Sequence, residues 1–269
     1  MFSVLGSEGF IGSQLVNYLE EKQYEYKTPN VDDERIFDKD LGDIIYCVGI
    51  TADFRKRPFD TVESHVCLLQ KILKKCKFNS LLYLSSSRVY LDSKSTNENS
   101  DLIVNPTKFE NIYNISKLMG ESICIGCQKP RVRIVRLSNV VGNNSKYNDF
   151  LPSIIFDVLN KKKIVLNLDL NSEKDYVHVD DVVKLLPEIS LHGKQSIYNV
   201  ASGKNTKIKE IIQRLEEIMR CKIQVLNGSK KQSFQKINIK SIEDEFNFQP
   251  INFLDQLDEM MRFQKERLD

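Results

Sequence analysis

The sequence carries almost no excess of either charge: 39 Lys and Arg against 37 Asp and Glu leave a formal charge of +2. Such a balance gives no support for non-specific binding to nucleic acid or to an anionic membrane surface. Long hydrophobic runs are missing as well. The most apolar stretches, such as residues 43–50 and 151–159, are broken by polar side chains and fall well short of the roughly 20 residues a membrane-spanning helix needs. No signal-peptide pattern opens the chain, because Met1-Phe2-Ser3-Val4-Leu5 runs directly into a glycine-rich turn. A soluble, cytoplasmic protein without nucleic-acid or membrane partners is expected. Histidine is scarce, and His65, His178 and His192 lie too far apart in sequence for a local ligand cluster. The six cysteines show no paired zinc-finger spacing. Cys47 sits in a strand-like pattern and Cys67, Cys76 and Cys124 in helical ones, the places of small buried hydrophobes. Cys124-Ile125-Gly126-Cys127 has the C-x-x-C form but ends a helical stretch, whereas a reactive thiol gains its low pKa at a helix N-terminus. No metal or redox site is expected.

With 269 residues and 41% hydrophobic side chains, the chain can fill one large domain or two lobes. Residues 2–5 read as a short strand, 24–28 as a second closed by Pro29, and 43–48 as a buried third. Residues 61–77 form an amphipathic helix with Val62, Val66, Leu69, Ile72, Leu73 and Cys76 inward. A strand at 80–85, a helix at 109–127 and a strand at 131–137 follow. Strands alternating with helices imply βαβ units and a parallel sheet covered on both faces. The pattern loosens after Gly142: a polar segment at 144–148, a helix at 150–159, a charged loop at 169–175, a strand at 196–200, and helices at 206–220 and 253–267.

Three motifs carry chemistry. In Gly6-Ser7-Glu8-Gly9-Phe10-Ile11-Gly12 the glycines let the backbone turn tightly, approach a pyrophosphate and pack helix against strand. The helix that begins at Phe10 and Ile11 supplies N–H groups to the phosphates. Because the turn follows the first strand and opens an amphipathic helix, it points to a dinucleotide site. Tyr113-Asn114-Ile115-Ser116-Lys117 sets Tyr113 and Lys117 four apart on one helix face, where an ammonium lowers a tyrosine pKa. That spacing also recurs by chance. Ser85-Ser86-Ser87 ends a parallel strand, on the sheet edge where ligands bind; a serine-rich loop with local hydrogen bonds has the same sequence.

Together these motifs resemble the extended short-chain dehydrogenase/reductases, the NAD-dependent epimerase/dehydratase family acting on nucleotide sugars. Gly6-x-x-Gly9-x-x-Gly12 is similar to the family's cofactor turn, Leu84-Ser85-Ser86-Ser87-Arg88-Val89-Tyr90 to its serine strand, and Tyr113 with Lys117 to its YxxxK pair. Arg136-Leu137-Ser138-Asn139-Val140-Val141-Gly142, Lys174-Asp175-Tyr176-Val177-His178-Val179-Asp180-Asp181 and Tyr198-Asn199-Val200-Ala201-Ser202-Gly203 resemble three further family segments. The resemblance implies an α/β fold, a Rossmann-like doubly wound parallel sheet with a smaller α/β C-terminal substrate lobe. Residues 1–142 would form the dinucleotide-binding domain, with 176–202 returning to it, and 143–269 mostly the substrate lobe. It implies catalytic roles for Ser86, Tyr113 and Lys117. Cofactor contacts would fall on Gly6, Gly9, Phe10, Ile11, Gly12, Lys27, Cys47, Val48, Gly49, Tyr113 and Lys117, and substrate contacts on Ser87, Asn139 and Lys174. A homodimer is a further family expectation.

Departures from the family pattern narrow the reaction. Family 4,6-dehydratases place Asp-Glu after the catalytic Thr; Ser87-Arg88 stand there. The NAD-selective Asp after the second strand is absent, with Asn30 near its place and Lys27 just before. Lys27 could pair with a 2′-phosphate, which leans the cofactor toward NADP over NAD; Asp32 and Asp33, displaced, could still serve NAD. Residues 31–43 are too few for the family's usual extra strand and helix. His65 reads as structural rather than catalytic, and Arg55-Lys56-Arg57 as a solvated loop rather than a diphosphate clamp. The expected activity is hydride transfer at C4 of a nucleoside-diphosphate hexose by a 4-ketoreductase of a deoxysugar pathway, with a C4 epimerase next. A non-catalytic nucleotide-sensing regulator stands as the alternative from another class.

Overall fold

The computed structural model describes residues 1–129, 131–143, 150–219 and 221–267. The polar segment expected at 144–148 lies outside them, as does Arg220 at the end of the helix expected at 206–220. In chain order the elements are β1 (Phe2–Leu5), α1 (Phe10–Glu21), β2 (Tyr26–Lys27), β3 (Asp43–Tyr46), α2 (Pro58–Val62), α3 (Leu68–Lys75), β4 (Ser80–Ser86), α4 (Ile112–Gly126), β5 (Val132–Leu137), β6 (Asn139–Val141) and α5 (Phe150–Lys161). After them come β7 (Lys163–Leu168), β8 (Glu173–His178), α6 (Val179–His192), β9 (Ile197–Val200), β10 (Asn205–Lys207), α7 (Ile208–Ile218), β11 (Lys222–Lys230), α8 (Lys240–Phe246) and α9 (Leu257–Glu266). A π-helical turn, Glu63–Cys67, joins α2 to α3 without a break.

Six strands form a wholly parallel sheet in the order β2-β1-β3-β4-β5-β9. Side chains alternate across it, as strand geometry requires. Val4, Ile45, Leu82 and Val135 face a core closed by Leu15 of α1 and Val182, Leu186 and Ile189 of α6. Leu5, Ile44, Tyr46 and Tyr83 face the other core, with Leu69 and Ile72 of α3 and Cys124 of α4. Both faces are covered, so the sheet strands read as almost continuous apolar runs.

The sheet stops at the two-residue β2, and the segment after it makes a short 3₁₀ turn, Glu34–Asp38, that seats Ile36 in the core. This is the trimmed edge that the shortness of residues 31–43 implied. Beyond β5 the chain builds a three-stranded sheet, β10-β8-β6, and a parallel pair, β11-β7. Ile154, Ile155 and Val158 of α5, Ile164 and Leu166 of β7, Ile211 and Leu215 of α7, and Met260 and Met261 of α9 form a separate core there. The charged stretch expected to be a loop at 169–175 is partly strand, because β8 begins at Glu173 and pairs antiparallel with β10.

β9 and α6 return to the first core, and so does a later stretch. Thr96 Oγ1 donates to the Lys236 carbonyl at 2.9 Å and accepts from Asn238 N at 3.0 Å. Asn199, fully buried on β9, donates to Asn238 O at 2.9 Å and to Thr96 O at 2.8 Å. Ile237, Ile239 and Ile242 then enter the first core.

Candidate active site

From β1 the chain passes to β2 on one side and to β3 on the other, which opens a crevice at the strands' carboxyl ends. Gly6 lies there at φ +82°, and a Cβ on it would stand 2.9 Å from Val48 N and 3.0 Å from Cys47 C. The turn is thereby pressed onto the Cys47-Val48-Gly49 strap after β3. A Cβ at Gly12 would drive into the Gly6 carbonyl, so α1 can start this close only with glycine. Gly9 caps α1 with no side-chain bond and no acidic residue follows in the first turn. The N–H groups from Phe10 and Ile11 onward are left open to an anion. This cradle fits the pyrophosphate of a nicotinamide dinucleotide. At the adenosine end Lys27 donates to the Asp40 carbonyl at 2.5 Å, while Asp33 is bound to Arg35 at 2.7 Å and held down to about 2 by that partner. Asp33 is thus paired with Arg35, while the backbone of Asp32 donates to Asn30 Oδ1 at 2.9 Å.

Ser86 ends β4, where its Oγ accepts from Arg88 N at 3.2 Å. Ser86 and Thr51 stand beside the Tyr113 hydroxyl, on the first turns of α4, and their polar side chains favour its ionised form. Tyr113 is buried, and burial pushes its pKa above the usual 10 despite these side chains and the nearby Arg88. The ammonium of Lys117 is spent differently from the sequence expectation. It shares the helix face with Tyr113 but donates to Leu84 O at 2.8 Å and rests 5.1 Å from the Tyr83 ring centre. The cation acting on Tyr113 is Arg88. The i, i+4 spacing sets two Cβ atoms side by side, and the carbonyl at the end of β4 then decides where the long side chain goes. Burial drops Lys117 to about 7, against the pull of Glu121 and Cys47. Gly49 leaves room for it, since a Cβ there would lie 3.4 Å from Lys117 Nζ.

His65, in the π turn, is structural. Its Nε2 accepts from Ile50 N at 3.2 Å, so Nδ1 carries the proton and donates to Ser116 Oγ at 2.8 Å. Ser116 Oγ in turn donates to Tyr113 O at 2.9 Å. Burial, reinforced by Lys117, pulls His65 down to about 2 and keeps it neutral. One turn beyond Lys117, Glu121 accepts from Ser85 Oγ at 2.5 Å and pairs with Arg136 at 2.6 Å, both side chains 4% exposed. Arg136 continues to Tyr90 Oη at 2.7 Å. This pair locks the helix of Tyr113 to β4 and β5. Sequence reading missed Thr51 and Glu121; the carboxylate four residues past Lys117 was the visible signal for the second.

Ser87, Asn139, Asp175 and Phe234, the first two of them expected to contact substrate, line one small cavity. Asn139 donates to Asp175 O at 2.8 Å, and Lys174 lies over Phe234 at 5.3 Å. Arg88 stands 6.0 Å from the Tyr113 ring centre and 5.4 Å from that of Phe54, with Arg55 on Phe54 at 4.4 Å. Among the described residues no His, Cys, Asp and Glu cluster could hold a metal, and all six cysteines are free. No described helix is long and apolar enough to cross a membrane.

Comparison with known proteins bears on the family and the fold. The chain is 26% identical to the GDP-6-deoxy-D-mannose reductase of Pseudomonas aeruginosa over 250 residues, 83% of this chain and 81% of that protein. It superposes on a solved NAD-dependent NDP-hexosamine 5,6-dehydratase involved in tunicamycin biosynthesis with TM-score 0.83 at 18% identity, covering 98% of this chain and 97% of the other. On the Pseudomonas aeruginosa RMD structure complexed with NADPH the TM-score is 0.82 at 21% identity, covering 99% and 100%. The family model "NAD dependent epimerase/dehydratase family" matches residues 2–201, three quarters of the sequence and every residue of the cradle and trio, and the chain belongs to that family of NAD(P)-dependent enzymes.

Proposed function

We propose that the protein reduces a 4-keto group on a nucleoside-diphosphate hexose. The carrying observation is the buried Tyr113 hydroxyl, set beside Ser86 at the carboxyl end of β4. Burial keeps it protonated at neutral pH, so it holds the proton that a carbonyl oxygen takes up on reduction. Bound nicotinamide nucleotide supplies the hydride to the carbonyl carbon. Ser86 hydrogen-bonds the carbonyl oxygen and orients it, and Tyr113 donates the proton that oxygen needs as it becomes a hydroxyl. Lys117, placed by its bond to the Leu84 carbonyl, holds the nicotinamide ribose. Asn139 and Lys174 take the nucleotide and its diphosphate. The absence of carboxylates at Ser87-Arg88 argues against water elimination, and the reductase relative supports the reading. The lean toward NADPH over NADH rests on Lys27 exchanging its bond to the Asp40 carbonyl for a 2′-phosphate, with Asp33 paired to Arg35.

The test is NAD(P)H consumption with a panel of 4-keto nucleotide sugars. Tyr113→Phe is expected to lower turnover by about 10² to 10⁴ while leaving dinucleotide affinity within a factor of two. Activity retained in that variant would sink the mechanism.

A further inference from the structure

Three cations surround the reaction centre without an anionic partner. The Arg88 guanidinium makes no hydrogen bond and no ion pair among the described residues, and its Nε is sealed from solvent with its donor unsatisfied. Arg55 and Lys174 likewise rest on aromatic faces alone. They lie near enough to repel: Arg55 weakens the hold of Arg88 on its proton, and Arg88 that of Lys174. Of the acidic residues, Glu110 alone acts on Arg88, and it forms no ion pair with it. A buried donor left unpaired among like charges is unfavourable unless a ligand brings the acceptor.

We propose that Arg88, with Arg55 beside it, receives a carboxylate carried on the sugar carbon next to the reacting one, making the substrate a nucleotide-activated hexuronic acid. The proposal rests on the hydride-transfer reading, because that reading puts the reacting oxygen at Tyr113. The diphosphate hangs from C1, across the ring from C4, whereas Arg88 lies over the Tyr113 ring itself. Two anions on one substrate then match two cationic stations, the diphosphate at Lys174 and the carboxylate at Arg88. The planar guanidinium is held in place between Phe54 and Tyr113, and its fork suits a carboxylate. A 6-deoxy sugar, with a methyl group at that position, would leave Arg88 uncompensated.

Glucose 1-phosphate and glucuronic acid 1-phosphate differ at that carbon and carry no base, so their affinities for the full chain with NADPH read the preference directly. The uronate is expected to bind about tenfold more tightly or better. Arg88→Gln should bring the ratio close to one, and Arg88→Lys should keep part of it, since it retains the charge but loses the fork. Equal binding by the unmodified protein overturns the proposal, as does no detectable binding of either probe. A parallel loss of both in Arg88→Gln also overturns it, by assigning Arg88 to the phosphate. Preference without turnover of any nucleotide sugar sinks the hydride-transfer reading alone; turnover without preference sinks this one alone.

Discussion

His65 and Lys117 are two basic side chains that burial pushes toward their neutral forms, to about 2 and about 7. Both therefore tie stability to pH. Between pH 2 and 6.5 the unfolded chain binds a proton at His65 that the folded chain does not, so stability falls as pH drops through that window. Between about 7 and 10.5 the same holds for Lys117, and stability rises as pH climbs. Thermal midpoints measured from pH 7 to 4 should fall, and His65→Gln should flatten that slope even if its midpoint at pH 7 is lower; an unchanged slope would place the acid sensitivity elsewhere. At this scale the sequence was informative about identity and poor about direction. Ser86, Tyr113 and the glycines were legible because spacing fixes backbone position. That Lys117 turns to Leu84 O, and that Arg88 rather than Lys117 addresses Tyr113, depends on rotamers no spacing encodes.

Among the elements, the helix made of α2, the π turn and α3 matters most, because it carries His65 against α4. Gly120 of α4 makes the approach possible: a Cβ there would stand 2.5 Å from Tyr83 Oη and 2.9 Å from His65 O. Gly120→Ala should lower unfolding free energy by about 1–3 kcal/mol in a denaturant titration, despite the better helix propensity of alanine. A neutral or stabilising result would mean that α4 shifts freely. The long amphipathic helices and the buried strands were readable from periodicity. The π turn was not, since one extra residue in a turn leaves the apolar pattern nearly intact. β6, β7, β10 and β11 were missed because they are short or mix charged and apolar residues in a half-exposed pattern, as Lys163–Leu168 does.

For the molecule as a whole, the parallel sheet with a core on each face follows from strand–helix alternation, whereas its strand order does not. What the sequence concealed is that residues 234–242, after the C-terminal sheets, come back and close over the first core. Polar contacts direct that return, and hydrophobic periodicity is blind to them. Asn199 is the hub, donating to Thr96 O and Asn238 O and accepting from Tyr90 Oη at 2.9 Å. Asn199→Ala leaves those groups unpaired in a buried place, and about 1–3 kcal/mol of stability should go with each that water cannot reach. Amide hydrogen exchange at 234–239 should accelerate before that of β4 or β5; uniform acceleration would show that the return is not a separable unit.

That return also sets a schedule for the ribosome. β1 through β5 can assemble as they emerge, each strand meeting an earlier neighbour. β9, the sixth strand, appears only near residue 200, and the Asn199 amide must then wait for Asn238. For the time it takes to synthesise nearly forty more residues, the nascent chain carries a finished-looking sheet with an unsealed flank at β9. The interval in which a chaperone is most useful to this protein is therefore late, after Ser86, Tyr113 and Lys117 are already in place.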